Sequence, residues 1–249
     1  CQKRVFKGYE DSDVFAIDAD TGKSCADFGA AKGHPGYVSG LDYENYGVAE
    51  KTRVGMKSPP AVIGDTLVVA SASADWTVDA KDGIIRGYDI RTGELKWSWN
   101  PVPAGHEHDT GAVNAWAPMS IDAERGLIFA PTTAASPDLW GGTRLFDVPY
   151  EDSTVALKAS TGEPVWHFQT LHHDIFDYDL PAQPLAVTIH KDGKDMPVVI
   201  QQTKLGFVFV LDRDTGAPVF PVEERPVPKS DIPGEQASPT QPFPVLPAE

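Results

Sequence analysis

Ile84-Ile85-Arg86-Gly87-Tyr88-Asp89-Ile90-Arg91-Thr92-Gly93 reads as a strand that runs into a Thr-Gly turn, and Leu95-Lys96-Trp97-Ser98-Trp99 as the strand that returns from it. The pattern recurs as Val14-Phe15-Ala16-Ile17-Asp18-Ala19-Asp20-Thr21-Gly22, as Thr154-Val155-Ala156-Leu157-Lys158-Ala159-Ser160-Thr161-Gly162, and as Val208-Phe209-Val210-Leu211-Asp212-Arg213-Asp214-Thr215-Gly216. After the last two turns the chain is again apolar, at Val165-Trp166-His167-Phe168 and Val219-Phe220. Self-similar units of several strands each point to stacked sheets, in which every unit buries its faces against its neighbours.

Working outward from the second copy, Pro59-Pro60-Ala61-Val62-Ile63 reads as an innermost strand A and Thr66-Leu67-Val68-Val69-Ala70 as strand B. The repeat then supplies C and the Trp-containing run supplies D. The next unit has A at Ala117–Ile121 and B at Gly126–Ala130, and the last has A at Pro184–Ile189 and B at Met196–Ile200. The reading is all-β: a partial β-propeller of four-stranded blades, with residues 1–249 as one piece of a propeller domain. Residues 1–33 are the end of an incomplete blade, 58–103, 114–170 and 180–222 are blades, and 223–249 is a Pro-rich connection. That makes about three and a half blades, too few to close a ring, so the expectation is a piece of a larger propeller. Residues 34–57 and 104–113 are long polar loops of the kind that carry function.

Composition agrees with this class. Glycine and proline number 22 each, hydrophobic residues make up 41% of the 249, and no run has helical apolar periodicity. The formal charge is −15, from 36 acidic and 21 basic residues, which argues against a nucleic-acid partner or an anionic membrane surface. No segment is long and apolar enough to span a bilayer. The two cysteines, Cys1 and Cys25, flank the first repeat. A bridge between them, two free thiols, or a bond to a partner in sequence outside residues 1–249 are all compatible with the sequence.

Function is expected where the repeat is interrupted. In a four-stranded blade, A starts at the end of the sheet where B finishes. Residues just before A (Asn114-Ala115-Trp116, Asp177-Tyr178-Asp179) and just after B (Ser73-Ala74-Asp75-Trp76, Ser136-Pro137-Asp138, Thr203-Lys204) therefore meet at one mouth. That mouth would combine an aromatic platform, a carboxylate base, a cation and oxygen ligands for a hard metal. Adjacent histidines on a strand point to opposite sides, so His172-His173-Asp174 is read as structural, and His106 and His108 as loop residues.

Four stretches carry a resemblance: Asn114-Ala115-Trp116-Ala117-Pro118; Ser136-Pro137-Asp138-Leu139-Trp140-Gly141-Gly142; His172 through Pro184; and Pro239-Thr240-Gln241-Pro242-Phe243. In them the chain resembles the pyrroloquinoline quinone (PQQ)-dependent dehydrogenases of the membrane-bound glucose and quinate/shikimate group. The resemblance implies an eight-bladed propeller with PQQ on its axis at one mouth. It implies Asp177 as the catalytic base, Trp116 as the indole stacked on the quinone, and Lys204 as the donor to the quinone oxygens. It puts Asp75 and Trp76 beside the cofactor, and Asp75 and Ser136 near a metal, Ca²⁺ or Mg²⁺. Phe176 stands where the family commonly has Trp, Trp76 where an amide is common, and Ser136 where Thr or Asn is common. The implied reaction is oxidation of a hydroxyl of a sugar or cyclic polyol. Electrons would pass to ubiquinone at the periplasmic face of the inner membrane, through an anchor outside this chain. The rival readings are a non-catalytic propeller scaffold that binds proteins, and an inert piece of the dehydrogenase.

Overall fold

A computed structural model describes residues 1–9, 12–39, 54–78, 80–106 and 109–245. His108, most of the 34–57 loop and Pro247 of the Pro-rich connection lie outside them. The chain folds as sequential antiparallel sheets that do not close into a ring, a partial propeller as expected.

The first sheet joins β1 (Arg4–Gly8), β2 (Asp13–Asp18) and β3 (Tyr37–Ser39). It extends beyond the expected limit at residue 33, because the outer strand lies after an intervening loop. β4 (Val54–Gly55) leads to the second sheet, formed by β5 (Ala61–Ile63), β6 (Thr66–Val69), β8 (Ile85–Asp89) and β9 (Leu95–Trp99) in that order, while the short β7 (Ala72–Ser73) pairs with β4. The third sheet has the order β10 (Ser120–Asp122), β11 (Leu127–Pro131), β12 (Ser153–Lys158), β13 (Pro164–Gln169). β10 begins at Ser120 rather than Ala117, since Pro118 has no N–H for a ladder. The fourth sheet holds β14 (Leu185–Lys191), β15 (Lys194–Gln202) and β16 (Val208–Asp212). Its expected D strand is reduced to a single Leu211–Pro218 bridge and the bond from Val219 N to Val210 O at 2.8 Å.

The Thr-Gly repeat has a structural cause. Oδ1 of Asp18, Asp89 and Asp212 accepts the amide and the hydroxyl of the threonine three residues on. The following glycine then takes a left-handed φ of 71–75° at Gly22, Gly93, Gly162 and Gly216. Two of these turns dock tryptophans of the preceding sheet. Trp97 Nε1 donates to Ala159 O at 2.9 Å, and a Cβ on Gly162 would stand 2.3 Å from the Trp97 ring. Trp166 Nε1 donates to Arg213 O at 3.1 Å, and a Cβ on Gly216 would stand 2.5 Å from its ring. Val38 occupies the corresponding place over Gly93, so the first joint is smaller.

Three apolar layers lie between the four sheets. One gathers Val14, Phe28, Val38, Leu67 and Tyr88, the next Val68, Ile85, Trp97, Ile128 and Leu157, the third Phe129, Trp166, Val199, Phe209 and Leu211. The inner strands β5, β10 and β14 run side by side around a cavity of about 600 Å³, lined by Ala61, Ser120 and Leu185 among others. The 223–249 stretch contains a hairpin, β17 (Val222–Pro226) with β18 (Thr240–Pro244), folded back against the fourth sheet. Cys1 and Cys25 form a disulfide across the first sheet, with Cys25 fully buried.

Candidate active site

The turn that leads into β14 is built on a buried polar footing. Arg144 and Glu151, both essentially without solvent contact, pair at 3.3 Å. Arg144 Nη2 also donates to the carbonyl of Asp174. Burial pushes the Glu151 carboxyl up to about 7 although Arg144 opposes it. The Asp174 carboxylate accepts the amides of Phe176 (2.8 Å) and Tyr178 (2.5 Å), wrapping the chain around itself. Burial still lifts Asp174 to about 6. Beneath it Asp152 is driven far above the usual carboxylate range, first by burial and then by the charge of Asp174. Held in this way, Asp177 takes a left-handed φ of 58°, rare for a residue with a Cβ. Its side chain stands at the mouth, 40% exposed.

Lys204, just after β15, reaches across to this turn. Its Nζ donates to Asp177 O at 2.7 Å and to Asp177 Oδ1 at 2.9 Å, and lies 3.5 Å from Asp179 Oδ2. Burial alone would lower its pKa, but the bond to Asp177 and the charges of Asp179 and Asp177 prevail and hold it above the ordinary lysine value. Asp179, 4% exposed, also accepts Trp116 Nε1 at 2.8 Å and Ala134 N at 2.9 Å. Burial raises the pKa of Asp179, with those donors and Lys204 opposing. The structure thus brings Trp116, Asp177 and Lys204 together, with Asp179 between them.

Asp75 adjoins this group through the backbone. Asp138 N donates to Asp75 O at 3.1 Å, and Asp177 N donates to Asp138 O at 3.2 Å. Ser136 is fully buried; its carbonyl accepts Thr110 Oγ1 at 2.7 Å, while its hydroxyl has no partner. Trp76 is not drawn in: it is 69% exposed and outside this network. Asp138, at 9% exposure, belongs with the site although sequence reasoning assigned it no role. Its position two residues after Ser136, in the row that follows strand B, was the available signal. Asp179 was expected at the mouth but without a role, because the indole it binds lies 63 positions away.

The mouth carries more negative than positive charge. Burial raises Asp75 to about 6, and the carboxylates of Asp138, Asp179 and Asp177 add to the shift. Burial and Asp177 raise Asp138 as well. Among the described residues no three His, Cys, Asp or Glu side chains converge as a metal centre. The donors that suit a hard cation are instead oxygens of mixed type: the Asp75 and Asp138 carboxylates and the orphaned Ser136 hydroxyl. Because protonation of Asp75 favours the folded state, that state binds more protons than the unfolded chain from about pH 4 to about pH 6. The contribution of Asp75 to stability therefore falls as pH rises through this window. In metal-free buffer, the melting temperature of the Asp75→Asn variant should gain on that of the parent as pH rises from 4 to 7; a constant difference between the two would remove Asp75 as a cause.

The histidines have structural partners. His172 Nδ1 lies 2.8 Å from Gln169 Oε1 and its Nε2 3.0 Å from Glu224, and His106 stacks on Phe146 at 3.7 Å. His173 Nδ1 lies 3.5 Å from Arg144 Nη1, and burial lowers its pKa. Beside the mouth, Trp140, Phe176, Tyr178, Phe207, Ile232 and Phe243 help to line a largely apolar cavity of about 730 Å³.

The profile of the family described as "PQQ: Glucose/ethanol/alcohol dehydrogenase, beta-propeller domain" matches residues 1–249. The chain is 40% identical to quinate/shikimate dehydrogenase (quinone) of Acinetobacter baylyi, over 97% of its own length and 31% of that protein. It is 38% identical to quinoprotein glucose dehydrogenase of Escherichia coli, over 98% of its length and 31% of that protein. The chain thus spans about a third of the length of the curated relatives it matches. Among solved structures, quinohemoprotein alcohol dehydrogenase from Comamonas testosteroni superposes with a TM-score of 0.71 at 23% identity, over 98% of this chain and 37% of that one, a likeness of fold.

Proposed function

We propose, from the premise that this chain belongs to the PQQ glucose/ethanol/alcohol dehydrogenase β-propeller family, that it carries one wall of a quinoprotein active site which oxidises the hydroxyl of a sugar or cyclic polyol. The observation that carries this reading is the acid, ammonium and indole gathered at one mouth, with Lys204 bonded to Asp177 and Trp116 bonded to Asp179.

A planar, polyanionic cofactor suits these residues. The half-buried indole of Trp116 offers a face for stacking. Lys204 keeps its charge, which attracts anionic oxygens brought to the mouth. PQQ, when bound, supplies the two-electron acceptor. A Ca²⁺ or Mg²⁺ ion would be held by Asp75 and Ser136, and would add positive charge where the chain has an excess of carboxylates.

The chain's own part is proton transfer and orientation. The Lys204 ion pair engages Asp177 Oδ1. The second carboxylate oxygen of Asp177 is the one assigned to accept the substrate hydroxyl proton, which raises electron density at the carbinol carbon. Lys204 stabilises negative charge that develops opposite the substrate. The names of the relatives support a quinone as the final acceptor, here ubiquinone. The Cys1–Cys25 disulfide supports an oxidising compartment, hence the periplasmic face of the inner membrane. Among the described residues no helix is long and apolar enough to cross a membrane.

The test is titration of the chain with PQQ in the presence of Ca²⁺, followed by the quinone absorbance. Saturable binding is expected, and Trp116→Ala should weaken it about tenfold or more while the melting temperature changes little. Unchanged affinity in that variant would remove the stacking role.

A further inference from the structure

Among the described residues Asp179 is the buried acid at the mouth that lies within 3.5 Å of both groups assigned to the cofactor. Its Oδ1 is fixed by the amide of Ala134 at 2.9 Å, which sets the plane of the carboxylate. Its Oδ2 accepts Trp116 Nε1 at 2.8 Å and lies 3.5 Å from Lys204 Nζ. Trp116 comes from the approach to β10, Ala134 from the loop after β11, Lys204 from the end of β15, and Asp179 itself from the approach to β14. A single carboxylate at 4% exposure therefore ties the mouths of two adjacent sheets together.

We propose that Asp179 is a positioning residue, whose Oδ2 is shared between the Trp116 indole and the Lys204 ammonium and holds the two in register before any cofactor arrives. This rests on the assignment of Trp116 and Lys204 to PQQ. The geometric part of it stands on the Trp116 hydrogen bond and the Lys204 ion pair alone.

An indole anchored only by its apolar body can rotate about χ2, and a lysine loses much rotamer freedom when it is immobilised. Pinning both on one oxygen places that ordering cost in the folded state instead of in the binding step. The charge of Asp179 also matters. An indole N–H bonds more strongly to a carboxylate than to a neutral carbonyl, and only a carboxylate attracts the ammonium as well. Asp179→Asn keeps the shape but loses the charge, and the Asn amide has a single acceptor oxygen to serve both Ala134 and Trp116.

The experiment uses the chain labelled with ¹⁵N in its tryptophans. Trp97 and Trp166 donate to backbone carbonyls in the interior joints and serve as internal references. In Asp179→Asn the Trp116 indole N–H resonance should move upfield while those of Trp97 and Trp166 stay in place. In Lys204→Met, which changes a partly exposed side chain, the same resonance should move downfield, because Oδ2 no longer divides its charge between two donors. The Asp179→Asn chain should also bind PQQ, in the presence of Ca²⁺, about ten- to a hundredfold more weakly, as for loss of one bond to a charged group. Movement of all three resonances in Asp179→Asn would mean a merely structural role and overturn the proposal. So would a stationary Trp116 resonance in Lys204→Met, which needs no loss of a buried group. If the resonances behave as expected but the unsubstituted chain fails to bind PQQ, the cofactor assignment falls and the shared-oxygen clamp remains.

Discussion

Replacing Asp177 by asparagine should leave PQQ bound and slow turnover by a factor of at least ~100, the usual scale for loss of a positioned general base. The substitution preserves size and the left-handed backbone, since asparagine tolerates a φ of 58° about as well as aspartate does. Lys204 keeps its bond to the carbonyl of residue 177 at 2.7 Å, so the ammonium stays near its place. The ability to take a proton is lost, and with it the charge that pairs with Lys204 Nζ at 2.9 Å. The measurement is kcat in a full-length dehydrogenase that contains this segment, beside a PQQ titration of the same protein. Near-normal turnover would reject Asp177 as the base. Loss of PQQ together with activity would reassign it to cofactor binding.

The second large effect is on stability. Trp97→Ala should destabilise the chain by about 3–5 kcal/mol, the range for emptying a buried aromatic site. Trp97 is 8% exposed and is wedged between Gly87 of its own sheet and Gly162 of the next, with its indole N–H on Ala159 O at 2.9 Å. Removal leaves that carbonyl without its indole donor, and two glycines have no side chains with which to fill the gap. For a chain of this size the melting temperature should drop by roughly 10 °C. Trp97→Phe should recover part of the loss through area burial and none of the hydrogen bond. A melting temperature within a degree or two of the parent would show that the joint between these sheets does not depend on the tryptophan.

The architecture was legible because its cause is local and repeated. The Asp-x-x-Thr-Gly turns at Asp89 and Asp212 close on themselves through Asp Oδ1, and Trp97 and Trp166 each stand at the same point of the strand that follows a Thr-Gly turn. Strand limits were less legible at their ends. Pro118 delays β10, and the D strand of the fourth sheet is a single bridge although Val219 and Phe220 have good strand chemistry. The hairpin in residues 223–249 was hidden by its prolines. Its pairing sets Pro226 opposite Thr240 and Glu224 opposite Pro242, tolerable in a two-stranded ribbon with free outer edges.

At the site, topology alone was enough to gather Trp116, Asp177 and Lys204 at one end, because residues before A and after B must meet there. It could not say which carboxylate contacts which donor. Asp177 and Asp179 are two residues apart and look equivalent in the sequence, yet one is at the surface of the mouth and the other beneath it. The difference comes from the Asp174 carboxylate, which captures the amides of Phe176 and Tyr178 and turns the chain between them. Such a turn depends on burial of Asp174 over Asp152 and on Arg144 holding its carbonyl, contacts that span tens of residues and leave no periodic trace.

The β17–β18 hairpin gives that turn a second support. The side-chain amide of Gln241 accepts from His172 N and donates to His172 O, both at 2.7 Å, as a neighbouring strand would. Glu224 reaches the His172 ring, and Glu235 accepts the amide of Gly141. The segment that presents the acid is therefore gripped from the interior by Asp174 and from outside by residues some seventy positions downstream. Evolutionary drift in this late, proline-laden stretch is not silent. A change that looks like decoration on a remote connector would reach the chemistry by loosening its mounting.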